Sequence, residues 1–562
     1  MAAPDDNVAT TQPAGDVQTD RTRTPLLQRI PTGGIVVSII VLLLMGITVR
    51  DYGLTTDEPI YILNTHRFID WTADLFRQGP SVAFEDERLR EGIYFARSDS
   101  KNLPAASLIA TLGYVTIGHF DSAPAAYRWG NLIVFALTCG VVFQWIRREL
   151  SCGAAMIAVL ALLGTPRLFA NAHFLNIDTL VGCFWILAAW ALYYSRDNWR
   201  WSIGFAMFCG VGMMTKPTFW FALPLFCVWG LLYHRRELWR AAVCLATVTP
   251  FTALLLIPLW WSNPLGGFFD YIALLRQEEN GWQIDAYYLG DVYQMTGMPP
   301  VPWHSVIVLP LVTTPIWILV LATVGIVHWL RRERTSDLLG LWVGSSVVLP
   351  LIVMLPSTPA HDGVRLYRAA FFFLALIAAY GFQTLSDRWL RRTAQSTGSR
   401  SSRWEWVAIA AFAALAVWPL WRMHPGQLSY YNLAVGGLHG AATPHEVTSL
   451  PGNFKRPQFE IDYWWAAMNQ PAWAEMQQHL PQGAKLWVFP EHFGLERLQE
   501  WDDLRQDITI VGPDQAEYLL LYGRLGRLLD PRSGNLGRLF LEGQPLWELR
   551  IDDVRVAALF RI

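Results

Sequence analysis

The chain has 562 residues, of which 53% are hydrophobic and 16% charged, and its formal net charge is -2. A soluble protein of ordinary composition carries about 25% charged residues, so these values exclude a water-soluble globular protein and give no sign of a nucleic-acid partner. The six cysteines lie in or beside apolar segments, which predicts neither a disulfide framework nor a thiolate metal site.

Residues 1–32 are polar and rich in Pro, Thr and Asp, and are read as a disordered cytoplasmic N-terminus. Crossing a bilayer takes about 20 mostly apolar residues. Segments of that character lie near 33–50, 123–146, 152–168, 177–195, 201–215, 217–234, 238–261, 305–330, 337–356, 364–386 and 404–422. They predict an all-α polytopic membrane domain over 33–422, with about eleven spans and external interfacial helices; 103–118 is one candidate for an interfacial helix. The first apolar run has no clear small-residue cleavage site and is read as a retained helix.

Basic residues set the orientation. Arg147-Arg148, Arg196/Arg200, Arg235-Arg236, Arg331-Arg332/Arg334 and the stretch Arg388 to Arg403 all fall on the side of the N-terminal arginines. That side is read as cytoplasmic, in a cell inner membrane. The opposite side receives loops 51–122 and 262–304 and the tail 423–562. The tail reads as a small extracytoplasmic α/β domain, with strands at Lys485–Phe489, Ile508–Val511 and Tyr518–Tyr522 and a hairpin around Asp552-Asp553.

Several charged residues sit at the external helix ends, where charge near a bilayer is expensive to keep. Asp57-Glu58-Pro59 reads as a helix start or as a general base with a helper carboxylate. Asp178, two residues after Asn176, is a cap or a second acid facing the same cavity. Lys216-Pro217 joins two apolar runs, so its ammonium is a snorkelling group or a phosphate contact. His361 and Arg365 follow a Pro-containing turn, and Arg365 is a snorkelling cation or a clamp on phosphate oxygens. Arg97, Lys101, Arg167, Arg276 and Arg368 are further external bases. In the long aromatic loop, Glu279, Tyr288, Trp303 and His304 are candidate substrate contacts. No His/Cys spacing supports a metal.

The ordered set of Asp57-Glu58, Asn176/Asp178, Lys216-Pro217, Pro302-Trp303-His304 and His424-Pro425-Gly426-Gln427-Leu428-Ser429-Tyr430-Tyr431-Asn432 resembles the GT-C superfamily. These are polyprenyl-phosphate-sugar-dependent glycosyltransferases, among them the protein O-mannosyltransferases and lipid A aminoarabinose transferases. The resemblance covers roughly residues 33–470. It implies transfer of a hexosyl or pentosyl group to a protein, lipid or glycan acceptor on the extracytoplasmic face, with inversion. Asp57 would be the base, with Glu58 and Asp178 beside it, and Lys216, Arg365 and His361 would hold the lipid phosphate. No cofactor or metal is expected. The competing class is a transporter or flippase of a lipid-linked saccharide, which predicts repeats and broken helices at mid-membrane.

Overall fold

The computed structural model describes residues 32–562 apart from 86, 90–102, 197, 279–284, 295–299, 332–335, 356–357, 359, 398–402 and 447–454. Glu279, Arg97 and Lys101 therefore lie outside the described residues. Residues Gly33–Ile562 form one compact unit, a multi-pass helical bundle with a small mixed sheet near its C-terminus.

Every segment expected to span is helical, but not every one is a single long rod. Among the described residues, Thr32–Asp51, Ala125–Glu149, Ile177–Tyr194, Ala369–Trp389 and Arg403–Met423 are long and apolar enough to cross a membrane alone. Trp199–Met213, Trp239–Leu255 and Asp337–Val353 run 15 to 17 residues, about 23–26 Å at the rise of an α-helix, short of a hydrocarbon core of about 30 Å.

Two expected spans are broken. The segment 152–168 ends as a straight helix at Leu163, and Pro166–His173 leaves it at 70°. The segment 305–330 splits into Ser305–Thr313 and Ile316–Arg331, bent by 120°. Proline causes both breaks, since it lacks an N–H and disfavours α geometry in the residue before it. Thr165 and Thr314 accordingly sit at φ -90°, ψ 101° and φ -100°, ψ 137°. A break inside a membrane frees carbonyls that must find donors. At the second bend Asn432 supplies them: its Nδ2 donates to Leu311 O at 2.6 Å and Thr314 O at 2.8 Å, and its N–H to Val312 O at 2.8 Å.

The sheet runs Thr509–Ile510, Lys485–Phe489, Tyr518–Tyr522, Val554–Arg561, Trp547–Ile551. Its first two pairings are parallel and its last two antiparallel. The central strand Tyr518–Tyr522 is buried throughout, which is why it reads as an unbroken apolar run. Asp552 and Asp553 both take positive φ, at 47° and 63°, the backbone that a two-residue hairpin turn needs.

Upstream of the sheet, segment 464–469 is stitched to the first loop. Gly53 N donates to Ala466 O (2.9 Å), Thr56 N to Trp464 O (3.2 Å) and Asn469 Nδ2 to Asp51 O (2.9 Å). A Cβ on Gly53 would lie 2.3 Å from Met468 O, so only glycine permits this approach.

Candidate active site

The first loop is built around Arg128, a fully buried arginine in helix Ala125–Glu149. Its Nε and Nη2 grip Glu58 at 2.8 and 2.7 Å, and its remaining N–H groups reach the carbonyls of Val49 (3.0 Å), Tyr52 (3.0 Å) and Gly53 (2.6 Å). All five guanidinium donors are thereby used. Glu58 also accepts from Leu175 N at 3.0 Å and Thr55 N at 2.9 Å. Its side chain is 0% exposed. Glu58 is therefore committed to holding the loop, and the geometry leaves no oxygen for a helper role.

That anchor turns its neighbour outward. Asp57 precedes helix Glu58–Arg77 but makes no capping hydrogen bond. Its side chain is 31% exposed, and its Oδ2 accepts from Arg365 Nη2 at 2.5 Å. The capping alternative is resolved differently at the second acid. Asn176 caps helix Ile177–Tyr194 by accepting from Thr179 N at 2.9 Å, which leaves Asp178 free to receive Lys216 Nζ at 2.6 Å and Arg365 Nε at 2.9 Å.

Arg365 is the hub. Its third contact is Nη1 to Asp362 Oδ2 at 2.9 Å, and its guanidinium lies 4.5 Å over the Trp464 ring. Asp362 in turn accepts from Arg524 Nη2 at 2.7 Å. The helix starts, Asp362 and the tail thus converge on Asp57, Asp178, Lys216 and Arg365, residues far apart in the chain. Burial, partly opposed by Asp178, lowers the affinity of Lys216 for its proton. The Arg524 guanidinium beside Asp362 holds that carboxyl well below the usual range, against its burial.

Two further arginines complete the cluster. Arg167, on the short helix Pro166–His173, donates Nε to Tyr430 O at 3.0 Å and lies 4.7 Å over the Tyr431 ring; its Nη2 is buried without a partner. Arg368 donates to Asn176 Oδ1 at 3.5 Å and lies 5.6 Å from the Trp464 ring. Neither makes an ion pair among the described residues. Lys216, Arg365 and Arg524 thus pair with Asp57, Asp178 and Asp362, and Arg167 and Arg368 lie beside them without an ion pair among the described residues. Arg167, Arg365, Arg368, Asp362 and Trp464 line one small cleft.

The remaining candidates are distributed differently. His361 lines a second small cleft, together with Tyr288. Burial drops the His361 pKa to about 4, so it is a neutral imidazole and brings no charge to a phosphate. His304 buttresses this cleft by bonding Tyr288 Oη at 2.7 Å, whereas Trp303 is 58% exposed and Arg276 is also exposed.

Trp464 and Arg128 carry no sequence signal for these places. Trp464 and Trp465 both hold positive φ, at 98° and 63°, a strained backbone for bulky side chains that tends to mark functional sites. Trp465 is pinned by a stack on Tyr522, with ring centroids 4.2 Å apart.

Residues 104–261 match the family described as dolichyl-phosphate-mannose-protein mannosyltransferase. The expected resemblance to GT-C enzymes is thus met by a family match that includes Arg128, Arg167, Asp178 and Lys216. Among solved structures, the chain is similar to apo ArnT from Cupriavidus metallidurans (14% identity, TM-score 0.47, covering 94% of this chain and 98% of that one). It is likewise similar to the same protein bound to undecaprenyl phosphate (16%, 0.46, 94% and 98%). The oligosaccharyltransferase AglB from Archaeoglobus fulgidus, in complex with an inhibitory peptide and a dolichol-phosphate, is similar at 12% identity and TM-score 0.46, over 87% of this chain and 69% of that one. No curated protein matches the chain.

Proposed function

We propose that this chain is an integral membrane glycosyltransferase that takes a sugar from a polyprenyl-phosphate donor and passes it to an acceptor hydroxyl on the extracytoplasmic face. The observation that carries this reading is the buried cluster in which Lys216, Arg365 and Arg524 pair with three carboxylates while the neighbouring Arg167 and Arg368 carry no ion pair among the described residues. Buried charge of one sign in excess is costly unless a ligand of the opposite sign completes it. A lipid phosphate does so: the donor diester carries one negative charge and the departing monoester up to two.

Asp57 is the base in this reading because it is the exposed acid, at 31%, while Asp178 is 4% exposed and held by two cations. Asp57 removes the acceptor proton as the hydroxyl oxygen attacks the anomeric carbon. The bond from that carbon to the phosphate oxygen breaks with its electron pair staying on the phosphate, through a transition state of oxocarbenium character. Attack opposite the leaving group inverts the anomeric centre. Arg167, Arg365, Arg368 and Lys216 face charge that grows on the phosphate, which is where fixed dipoles and cations lower a barrier most.

The test is sugar transfer from purified polyprenyl-phosphate sugars in detergent. Wild type is expected to release polyprenyl phosphate in a donor-dependent way. Asp57→Asn is expected to lose about 10²–10⁴-fold, the range of a positioned general base. Full activity in a folded Asp57→Asn protein overturns the base assignment, and binding without turnover for every donor overturns the transferase reading.

A further inference from the structure

The tail reaches the hub through Arg524 as well as through the Trp464 ring. The buried central strand Tyr518–Tyr522 ends in a turn whose backbone is held on both sides of Arg524. Gly523 N donates to Val556 O at 2.7 Å and Gly523 O accepts from Asp462 N at 3.4 Å. Beyond Arg524, Glu460 accepts the backbone N–H groups of Leu525 and Gly526. The turn is thus fixed before its side chain makes any contact, and it delivers the largely buried Arg524 guanidinium to one place.

The receiving side is equally constrained. Asp362 and Gly363 both take positive φ, at 51° and 63°, which Asp tolerates and Gly favours. A Cβ on Gly363 would lie 2.6 Å from Tyr463 Oη, so the link runs close against the tail. Backbone of this kind persists where its surroundings over-determine it. Asp362 stands between two guanidinia, with one oxygen for each. Its Oδ1 accepts from Arg524 Nη2 at 2.7 Å, and its Oδ2 from Arg365 Nη1 at 2.9 Å. Arg365 then points Nη2 at Asp57 and Nε at Asp178. A guanidinium is planar, so holding Nη1 restricts where the other two nitrogens point. Arg524 also shares the charge of Asp362. Without Arg524 that charge bears on Arg365 alone and draws it away from Asp57 and Asp178. Arg532, on the same stretch of the tail, pairs instead with Asp285 at 3.0 Å, an anchor to the 262–304 loop that does not include Asp362.

Resting on the transferase reading, we infer that Arg524 is a positioning residue for transfer: acting through Asp362, it aims the Arg365 guanidinium at the departing phosphate, and so gives the C-terminal domain a part in the transfer step.

The test is a double-substitution cycle on the full-length protein in detergent. It reads kcat and donor KM with the polyprenyl-phosphate sugar that wild type turns over fastest, beside the unfolding temperature. Arg524→Gln is expected to lower kcat about 10- to 100-fold, the scale of a misplaced catalytic group. Its KM should change less, because Arg167, Arg368 and Lys216 still meet the donor phosphate. Arg524→Lys keeps a cation on Asp362 and should recover most of the loss. Asp362→Asn suits the same positive φ, and in that background Arg524→Gln should lower kcat by no more than about two-fold. Arg532→Gln breaks a tail contact outside the hub and should leave kcat and KM near those of wild type. If Arg524→Gln does not fold, Arg524→Lys carries the cycle, its smaller loss expected with Asp362 present and absent without it. An unchanged kcat in Arg524→Gln overturns the inference, as does an equal loss in the Asp362→Asn background or an effect on KM larger than on kcat. Any of these beside an active wild type sinks this inference alone. A wild-type protein that transfers from no donor sinks the transferase reading, and this inference with it.

Discussion

Adjacent carboxylates with opposite duties give the sharpest test of the site. Glu58→Gln keeps the shape of the side chain but replaces one accepting oxygen with an NH₂. In the native loop Glu58 receives four N–H groups: Arg128 Nε, Arg128 Nη2, Leu175 N and Thr55 N. One oxygen takes the first and third, the other the second and fourth, so the amide leaves two donors facing a donor in either orientation. At about 1–3 kcal/mol for each buried donor left unpaired, the loss is about 2–6 kcal/mol. That agrees with the roughly 3–5 kcal/mol expected for breaking a buried ion pair. Asp57→Asn, at a partly exposed position with one ion-pair partner, is expected to stay within about 1 kcal/mol of wild type. The assay is thermal unfolding of both variants in detergent beside their transfer activity. Glu58→Gln should unfold at a distinctly lower temperature, and Asp57→Asn should fold normally and lack activity. A Glu58→Gln protein as stable as wild type but inactive would refute the division of labour, because it would place Glu58 in the chemistry.

Arg368→Gln and Arg167→Gln each remove a cation without an ion-pair partner among the described residues, so each should weaken binding of bare polyprenyl phosphate by about 1.5–3 kcal/mol, read by titration calorimetry. Trp464→Ala removes the ring under Arg365 and should raise KM for the donor more than it lowers kcat, by about 0.5–2 kcal/mol of lost cation–π contact; a kcat-only effect would show that the ring does not position the guanidinium. Glu460 sets a stability profile with pH. Its folded pKa of about 8 is raised above the ordinary carboxyl value, so its favourable contribution is complete below the ordinary range and is lost as pH climbs through 8. Unfolding measured from pH 5 to 9 should therefore show a decline that Glu460→Gln flattens.

Much of this was legible in the sequence for identifiable reasons. Strand Tyr518–Tyr522 was legible because burial on both faces leaves an unbroken apolar run, and Lys485–Phe489 because it alternates buried with half-buried apolar residues after an exposed lysine. Asp57, Asp178, Lys216 and Arg365 could be grouped because each is a charge where a membrane edge disfavours one. The bends at Pro166 and Pro315 were hidden because hydropathy averages over a window and a proline in such a run looks like any other residue. Arg128 escaped notice because it lies inside an apolar span and its carboxylate partner is 70 residues away. Trp464 escaped because nothing in a Trp-Trp pair announces a left-handed backbone, and because the tail around it carries no motif that points back to the first loop.

The dispersal of the site along the chain has a consequence for its birth. Asp57 and Arg128 leave the ribosome early, while Trp464 and Arg524 come close to the end. At a synthesis rate of about 5–20 residues per second, roughly half a minute to a minute and a half separates Asp57 from Arg524. Through that interval Asp57 and Asp178 wait at their helix starts for Arg365, and segment 464–469 follows later to fasten the loop through Gly53 and Thr56. A nascent chain stalled or truncated before the tail has its helices and its acids but not its fastened hub. Quality control that senses unpaired charge at the membrane edge would find it there.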